Sequence, residues 1–190
     1  VVGRAAEPSV LAEVEIGQAA DGALDLLHLR DLLRSLRARG LEGVALCTSD
    51  AHEGLKAAIA QVLGCPWQRC TVHFLRDMLG HVGKEQQPVV AGAMRQIFAA
   101  ESREEASVCL GEVVDLLARS APKVARLLSE AEEELLAFMA FPVEHWSKLR
   151  STNPLGRVNR EIGRRSDVVG IYPNDAALIR LAGALLIEQN

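Results

Sequence analysis

VALCTSDAHEGLKAAIAQVLG, residues 44–64, opens on a short apolar run, Val44 to Cys47, and turns polar at Thr48, Ser49 and Asp50. A brief apolar run bounded by turn-forming residues reads as a buried strand, here one that stops at Asp50. HEGLKAAIAQVLG then reads as a helix closed by Gly64, since glycine accepts the left-handed backbone that ends many helices. Upstream, VLAEVEI (residues 10–16) alternates well enough for a strand, and Asp21 to Arg39 reads as an amphipathic helix. Its Leu24, Leu27, Leu32 and Leu36 lie near one face, and RARG closes it at Gly40. Downstream, WQRCTVHF (residues 67–74) is the next strand candidate, with helix signals resuming at Phe74. Strand, helix, strand, helix in that order predicts an α/β core.

Composition agrees with a folded domain. The chain has 190 residues, 49% of them apolar, enough to fill a core and too apolar for wholesale disorder. Aromatics are only 4%, so Leu, Val, Ile and Ala must do most of the packing, which favours helices. Val1 to Ala20 lacks the basic start and apolar core of a secretory signal. No apolar run approaches the ~20 residues of a membrane span. Cys47, Cys65, Cys70 and Cys109 are therefore expected to be reduced thiols in a cytoplasmic protein.

Charge is unevenly spread. Glu101 to His145 holds ten acids and four bases, while the remainder is mildly basic. That asymmetry suggests an anionic partner. From Pro88 to about Arg150 the pattern is helical throughout, with stripes at Val89–Ala99, Ser102–Arg119 and Pro122–Phe138 and a capping box at Ser102 and Glu105. FPVEHW breaks the run, Ser151 or Asn153 caps an α/β return, and Asp175–Glu188 is a last helix. The expected organisation is a core over residues 1–87, an all-helical insertion over 88–150, and a return to the core with a basic helix over 151–190.

Three places could carry chemistry. Asp50 sits at the C-terminal tip of a strand, the edge where open α/β sheets bind ligands. It could hold a divalent metal there, or it could simply cap the helix that starts near His52. Cys70 and His73 form a C-x2-H pair, with Cys65 five residues ahead of Cys70. Sulfur and imidazole suit zinc, but a structural zinc site needs four ligands, and the plain alternative is a buried thiol and a core histidine in a strand. The third place is Arg150 to Arg165, with five arginines and one acid, Glu161. If Pro154 to Arg165 is helical, Arg157, Arg160 and Arg164 share a face, flanked by Asn159 and Arg165, an arrangement suited to phosphate oxygens as well as to a solvated surface.

Taken together, SDAHEGLKAAIAQVLG, WQRCTVHFLRDML and EHWSKLRSTNPLGRVNREIGRRSDVVGIYPN, in that order, resemble the transposases of mutator-type bacterial insertion sequences, over about Ile16 to Asn190. The resemblance implies a partial RNase H-like core interrupted by the all-helical insertion. It implies DNA as partner, both insertion-sequence ends and target, and self-association or pairing with an intact transposase. It also implies three acids holding two Mg2+ or Mn2+ ions for strand cutting and joining. Asp50 matches the second acid and metal ligand, and Cys70 and His73 match a structural signature beside the site. Arg157, Asn159, Arg160, Arg164 and Arg165 match the part that lies against DNA.

Two departures set a further expectation. Gly156 stands where the family has its glutamate, and Gly binds no metal. Glu161 lies five residues on, ~500° around a helix of ~3.6 residues per turn, so it points off that face. The family's first Asp lies before the equivalent of Ile16. The expectation is a truncated, catalytically impaired copy that does not hold its ions stably. The alternative is a non-catalytic regulator that binds DNA or a transposase. A third reading is a zinc-supported interaction module using Cys65, Cys70 and His73.

Overall fold

A computed structural model describes residues 10–13 and 26–188, the first four and Leu26 by backbone alone. Strands β1 (Val10–Glu13), β2 (Val44–Ser49) and β3 (Trp67–Arg69) form one parallel sheet in that order. The rest is mainly helix: α1 (Leu26–Ala38), α2 (Glu53–Val62), α3 (Thr71–Gly80), α4 (Gln87–Ile97), α5 (Arg103–Leu117), α6 (Pro122–Glu130), α7 (Glu132–Leu135), α8 (Trp146–Leu149), α9 (Asn153–Val169) and α10 (Asp175–Glu188). The α/β class holds, with helix predominating. The chain divides into two compact units, Val1–Thr152 and Asn153–Asn190.

In the first unit β2 is the organising element. Successive side chains of a strand point to opposite faces. Cys47 joins Leu29, Leu33, Leu55, Ala58, Ile59 and Val62 in one buried cluster, built from α1 and α2. Leu46, on the other face, joins a larger cluster with Phe74, Met78, Met94, Ile97, Leu110, Leu128 and Phe138. Helices thus cover both faces, as parallel sheets require. Each buried Leu, Ile or Phe contributes about 1.5–3 kcal/mol by leaving water.

Gln68, fully buried on β3, ties the sheet to the helical segment. Its Nε2 donates to the Leu135 carbonyl at 3.0 Å, and its Oε1 accepts from the Phe138 N–H at 2.8 Å. Gln68→Leu would leave both backbone groups buried without partners, at about 1–3 kcal/mol each. A destabilisation of about 3 kcal/mol is the expected result in urea denaturation; less than about 1 kcal/mol would mean that the amide is dispensable.

Local signals explain the boundaries. Ser102 Oγ accepts from the Glu105 N–H at 3.1 Å and so caps α5, while Glu105 Oε2 accepts from the Glu101 N–H at 2.8 Å, one residue before the reciprocal donor of the expected capping box. Pro122 occupies the first turn of α6, where its missing N–H costs nothing. Gly64 follows α2 at φ +66° and Gly170 follows α9 at φ +74°, both left-handed positions that a Cβ would strain.

Several expectations need correction. Of WQRCTVHF only Trp67–Arg69 is strand; the helix begins at Thr71 with Cys70 as its N-cap, so Cys70 and His73 belong to a helix start. The buried leucines of α1 are Leu29 and Leu33, whereas Leu27 and Leu32 are 56% and 50% exposed. The helix carries two leucine stripes, and packing against α2 and β2 selects between them. No strand follows Arg69 among the described residues, so the expected α/β return is wholly helical. Val14–Ile16 of the first strand candidate and Asp21–Asp25 of the first helix candidate, Leu24 included, lie outside the described residues.

The second unit comprises α9 and α10. Asn174 Oδ1 accepts from the Ala177 N–H at 3.0 Å and starts α10, which places Leu185 in the interior.

Candidate active-site cleft

The β2–β3 register decides what meets at the sheet edge. Ser49 pairs with Arg69, so the next residues, Asp50 and Cys70, leave two adjacent parallel strands side by side. The Cys70 N–H donates to the Ser49 carbonyl at 2.8 Å and extends the pairing to that tip. His73 is the third residue of α3, one turn from Cys70 and on the same side. Its Nδ1–H donates to Asp50 Oδ1. The oxygen, nitrogen and sulfur donors of Asp50, His73 and Cys70 all lie within 4.8 Å of one another.

Asp50 does not cap α2. That role falls to His52, whose Nδ1 accepts from the Leu55 N–H at 3.1 Å. The Asp50 carboxylate is left for the cleft, with 36% of its side chain exposed against 29% for His73. Cys70 is fully buried. Its sulfur accepts from the Thr152 N–H at 3.4 Å, and the Thr152 hydroxyl stands 3.5 Å away. Thr48 Oγ1 donates to the Leu149 carbonyl at 2.7 Å, and the Thr71 N–H to the Arg150 carbonyl at 2.9 Å. These bonds hold residues 149–152 beneath the sheet tip.

Two adjoining clefts, of about 480 and 330 Å3, open on Asp50, His73 and Asp77. Arg76 and His81 line the first and Arg69 the second. Arg69 lays its guanidinium over the Phe74 ring, 4.7 Å from the centroid, which fixes a cation near the carboxylates. Sequence reasoning missed Arg69, Arg76, Asp77, His81 and Thr152. The four-residue spacing of His73, Asp77 and His81 would have placed those three on one helix face, and Asp77 and His81 do pair at 3.7 Å.

Cys65 is not part of this group. It packs beside Cys47 and Trp67 in the cluster on the α1–α2 face. Burial, reinforced by the neighbouring Cys65, pushes the Cys47 thiol up to about 12. The zinc set Cys65, Cys70 and His73 is therefore not assembled.

Gly156 and the basic residues lie in the second unit, on α9. Arg157, Asn159 and Arg160 are exposed, and neither arginine engages a carboxylate among the described residues. Arg164 and Arg165 are otherwise occupied. Arg164 donates to both oxygens of Glu161, at 3.0 and 2.7 Å, and Arg165 Nε to one of them at 2.9 Å. Those bonds, Arg164 first, hold the Glu161 carboxyl down at about 2. Arg165 also reaches Glu188 on α10, at 3.3 Å.

Mg2+ and Mn2+ take oxygen ligands, usually carboxylates completed by waters and substrate phosphates. At Asp50 the nearest partner donors are imidazole and thiol, Gly156 offers no carboxylate, and the oxygens of Glu161 are taken by arginines. Among the described residues of the first unit, the group Asp50, Cys70 and His73 does not by itself fit a two-ion oxygen site.

The family model described as "Transposase, Mutator family" matches residues 16–190. The transposase for insertion sequence element IS1081 of Mycobacterium tuberculosis is 43% identical over 178 residues, covering 93% of this chain and 42% of its own length. The transposase for IS406 of Burkholderia multivorans is 43% identical over 165 residues, 85% of this chain and 42% of its own length. The transposase for ISRM5 of Rhizobium meliloti is 38% identical over 160 residues, 84% and 40% respectively. The chain thus spans about two fifths of the length of these relatives.

Proposed function

We propose, from the premise that the chain belongs to the Mutator family of transposases, that it binds DNA in the manner of an insertion-sequence transposase and is catalytically impaired. The observation that carries the reading is the placement of Asp50, paired with His73, at the tip of the central parallel strand in an open cleft. A parallel sheet covered by helices on both faces, with a carboxylate at that tip, supports a partial RNase H-like core; the helices over 88–150 are its insertion. Arg69 and Arg76 line the clefts and suit phosphate oxygens there. Arg157 and Arg160, with Asn159, supply the phosphate contacts of the basic helix. Impairment is assigned to residue 156, where glycine offers no carboxylate. Mg2+ or Mn2+ is accordingly not held stably by this chain.

The test is binding to duplex DNA over a range of salt, together with strand cleavage in Mg2+ or Mn2+. Each phosphate contact contributes about −0.9 to the slope of log affinity against log salt. Arg157→Ala with Arg160→Ala should make the slope shallower by about two such contacts. Salt-independent binding would sink the DNA reading. Cleavage by the unaltered chain that Asp50→Asn abolishes would sink the impairment. DNA binding without cleavage fits a second reading as well, a regulator that acts without chemistry; the pairing of Arg164 and Arg165 with an internal acid favours it, because it leaves a moderate electrostatic grip. Inhibition of an intact transposase in a mixed assay separates the two. No helix among the described residues is long and apolar enough to cross a membrane.

A further inference from the structure

We infer that Asp50, Cys70 and His73 form a binding site for one borderline divalent cation of the zinc type, held by oxygen, sulfur and nitrogen, with its fourth position open to the cleft. Three observations converge on it. The three donor atoms lie within 4.8 Å of one another. Zinc bonds of about 2.0–2.3 Å place tetrahedral ligands roughly 3.5 Å apart, so the Cys70 sulfur needs to draw in by only about 1 Å while the hydrogen-bonded Asp50 and His73 move apart to admit the cation. Asp50 and His73 are partly exposed, and their side chains have room in the cleft to make that adjustment.

The second observation is the surroundings of the sulfur. Cys70 Sγ receives the Thr152 N–H at 3.4 Å and has the Thr152 hydroxyl at 3.5 Å. These two contacts fix the position of the buried sulfur, as outer contacts orient ligands in metal sites generally. The third is access. The cleft of about 330 Å3 reaches Asp50, Cys70 and His73 together, so a cation and a coordinating water can enter without opening the core. Three protein ligands and one open position is the pattern of a site that exchanges its fourth ligand.

On binding, the His73–Asp50 hydrogen bond gives way to two metal bonds. The proton leaves His73 Nδ1, so that the neutral imidazole keeps its proton on Nε2, and the Cys70 proton passes to solvent as its sulfur coordinates. The imidazole and thiolate select against Mg2+ and Mn2+, which prefer oxygen. A zinc-type cation here also removes Asp50 from any hard cation brought in with DNA, so the same carboxylate serves one or the other. Cys65 takes no part, since it packs on the α1–α2 face.

The experiment is a titration of the metal-free chain with Co2+, without DNA, followed by displacement with Zn2+. Because no DNA is present, its outcome is separate from that of the proposed function. One equivalent of Co2+ should give a thiolate-to-cobalt charge-transfer band in the near ultraviolet, which Zn2+ then abolishes. Cys70→Ser should remove the band, His73→Ala should lower affinity at least tenfold, and Cys65→Ser should leave both unchanged. Thr152→Val, which keeps the buried shape, should weaken binding roughly tenfold through the lost hydroxyl contact to the sulfur. Absence of the band in the unaltered chain, its survival in Cys70→Ser, or unchanged affinity in both His73→Ala and Asp50→Asn would each overturn the site.

Discussion

Glu161→Gln is expected to strengthen DNA binding at low salt and to steepen its salt dependence by about two phosphate contacts. In the unaltered chain Glu161 binds Arg164 through a two-point fork and Arg165 through a further bond, so one carboxylate occupies two guanidinium groups. A neutral amide frees Arg164 and leaves Arg165 with only its longer contact to the exposed Glu188, which phosphate can displace. At about −0.9 per contact, two added contacts bring the slope down by roughly 1.8, an extra loss of about tenfold between 50 and 200 mM salt. Arg164→Ala and Arg165→Ala should change DNA affinity little while Glu161 is present, and much in the Glu161→Gln background. An unchanged slope in Glu161→Gln would show that phosphates already displace the glutamate, which would sink the clamp.

The same pair gives a signed dependence on pH. The Glu161 carboxyl falls from its ordinary 4.5 to about 2 because the arginines stabilise its charged form. The pairing is therefore fully present above the ordinary carboxylate range and is lost only as pH falls through about 2. Across the neutral range DNA affinity should not respond to the titration of Glu161. The pair lies at the surface, so its contribution to folding is screened by solvent.

Phe74→Ala is expected to cost about 4 kcal/mol, a large part of the roughly 5–15 kcal/mol that usually separates folded from unfolded chains. Phe74 is 1% exposed in the main cluster, and its ring carries the Arg69 guanidinium. Truncation therefore opens a cavity beneath the cleft and also unseats a cation from its wall. Phe74→Leu keeps most of the volume and should cost no more than about 1.5 kcal/mol, while still freeing Arg69. Denaturation midpoints for the two variants check the ordering. A loss below about 1 kcal/mol for Phe74→Ala would mean that the helical cluster does not depend on this ring.

The order of strand and helix, the tip position of Asp50, the cap at Ser102 and a helical basic strip after Asn153 are legible in the chain without its fold. Each rests on signals spanning a few residues: an apolar run, a hydroxyl ahead of a glutamate, a glycine at a left-handed end. The Glu161 pairs are also within local reach, at three and four residues' spacing. Comparison with the acid missing at Gly156 draws attention away from them, because it weighs Glu161 as a metal ligand and not as a partner for arginine.

Other features depend on long-range packing. Asp50 reads equally well as a cap in the sequence, and the bond from the Leu55 N–H to His52 removes that role. Both leucine stripes of α1 satisfy a helical period, and burial against α2 and β2 selects Leu29 and Leu33. Cys70 is legible as a ligand type, yet its neighbours are set by the pairing of Ser49 with Arg69, and by Thr152 arriving 82 residues later. Local free energies choose an element and its ends. Which of its faces is buried, and which donors converge on one point, depends on contacts between residues far apart in the chain, where the hydrophobic gain and the strand register act together.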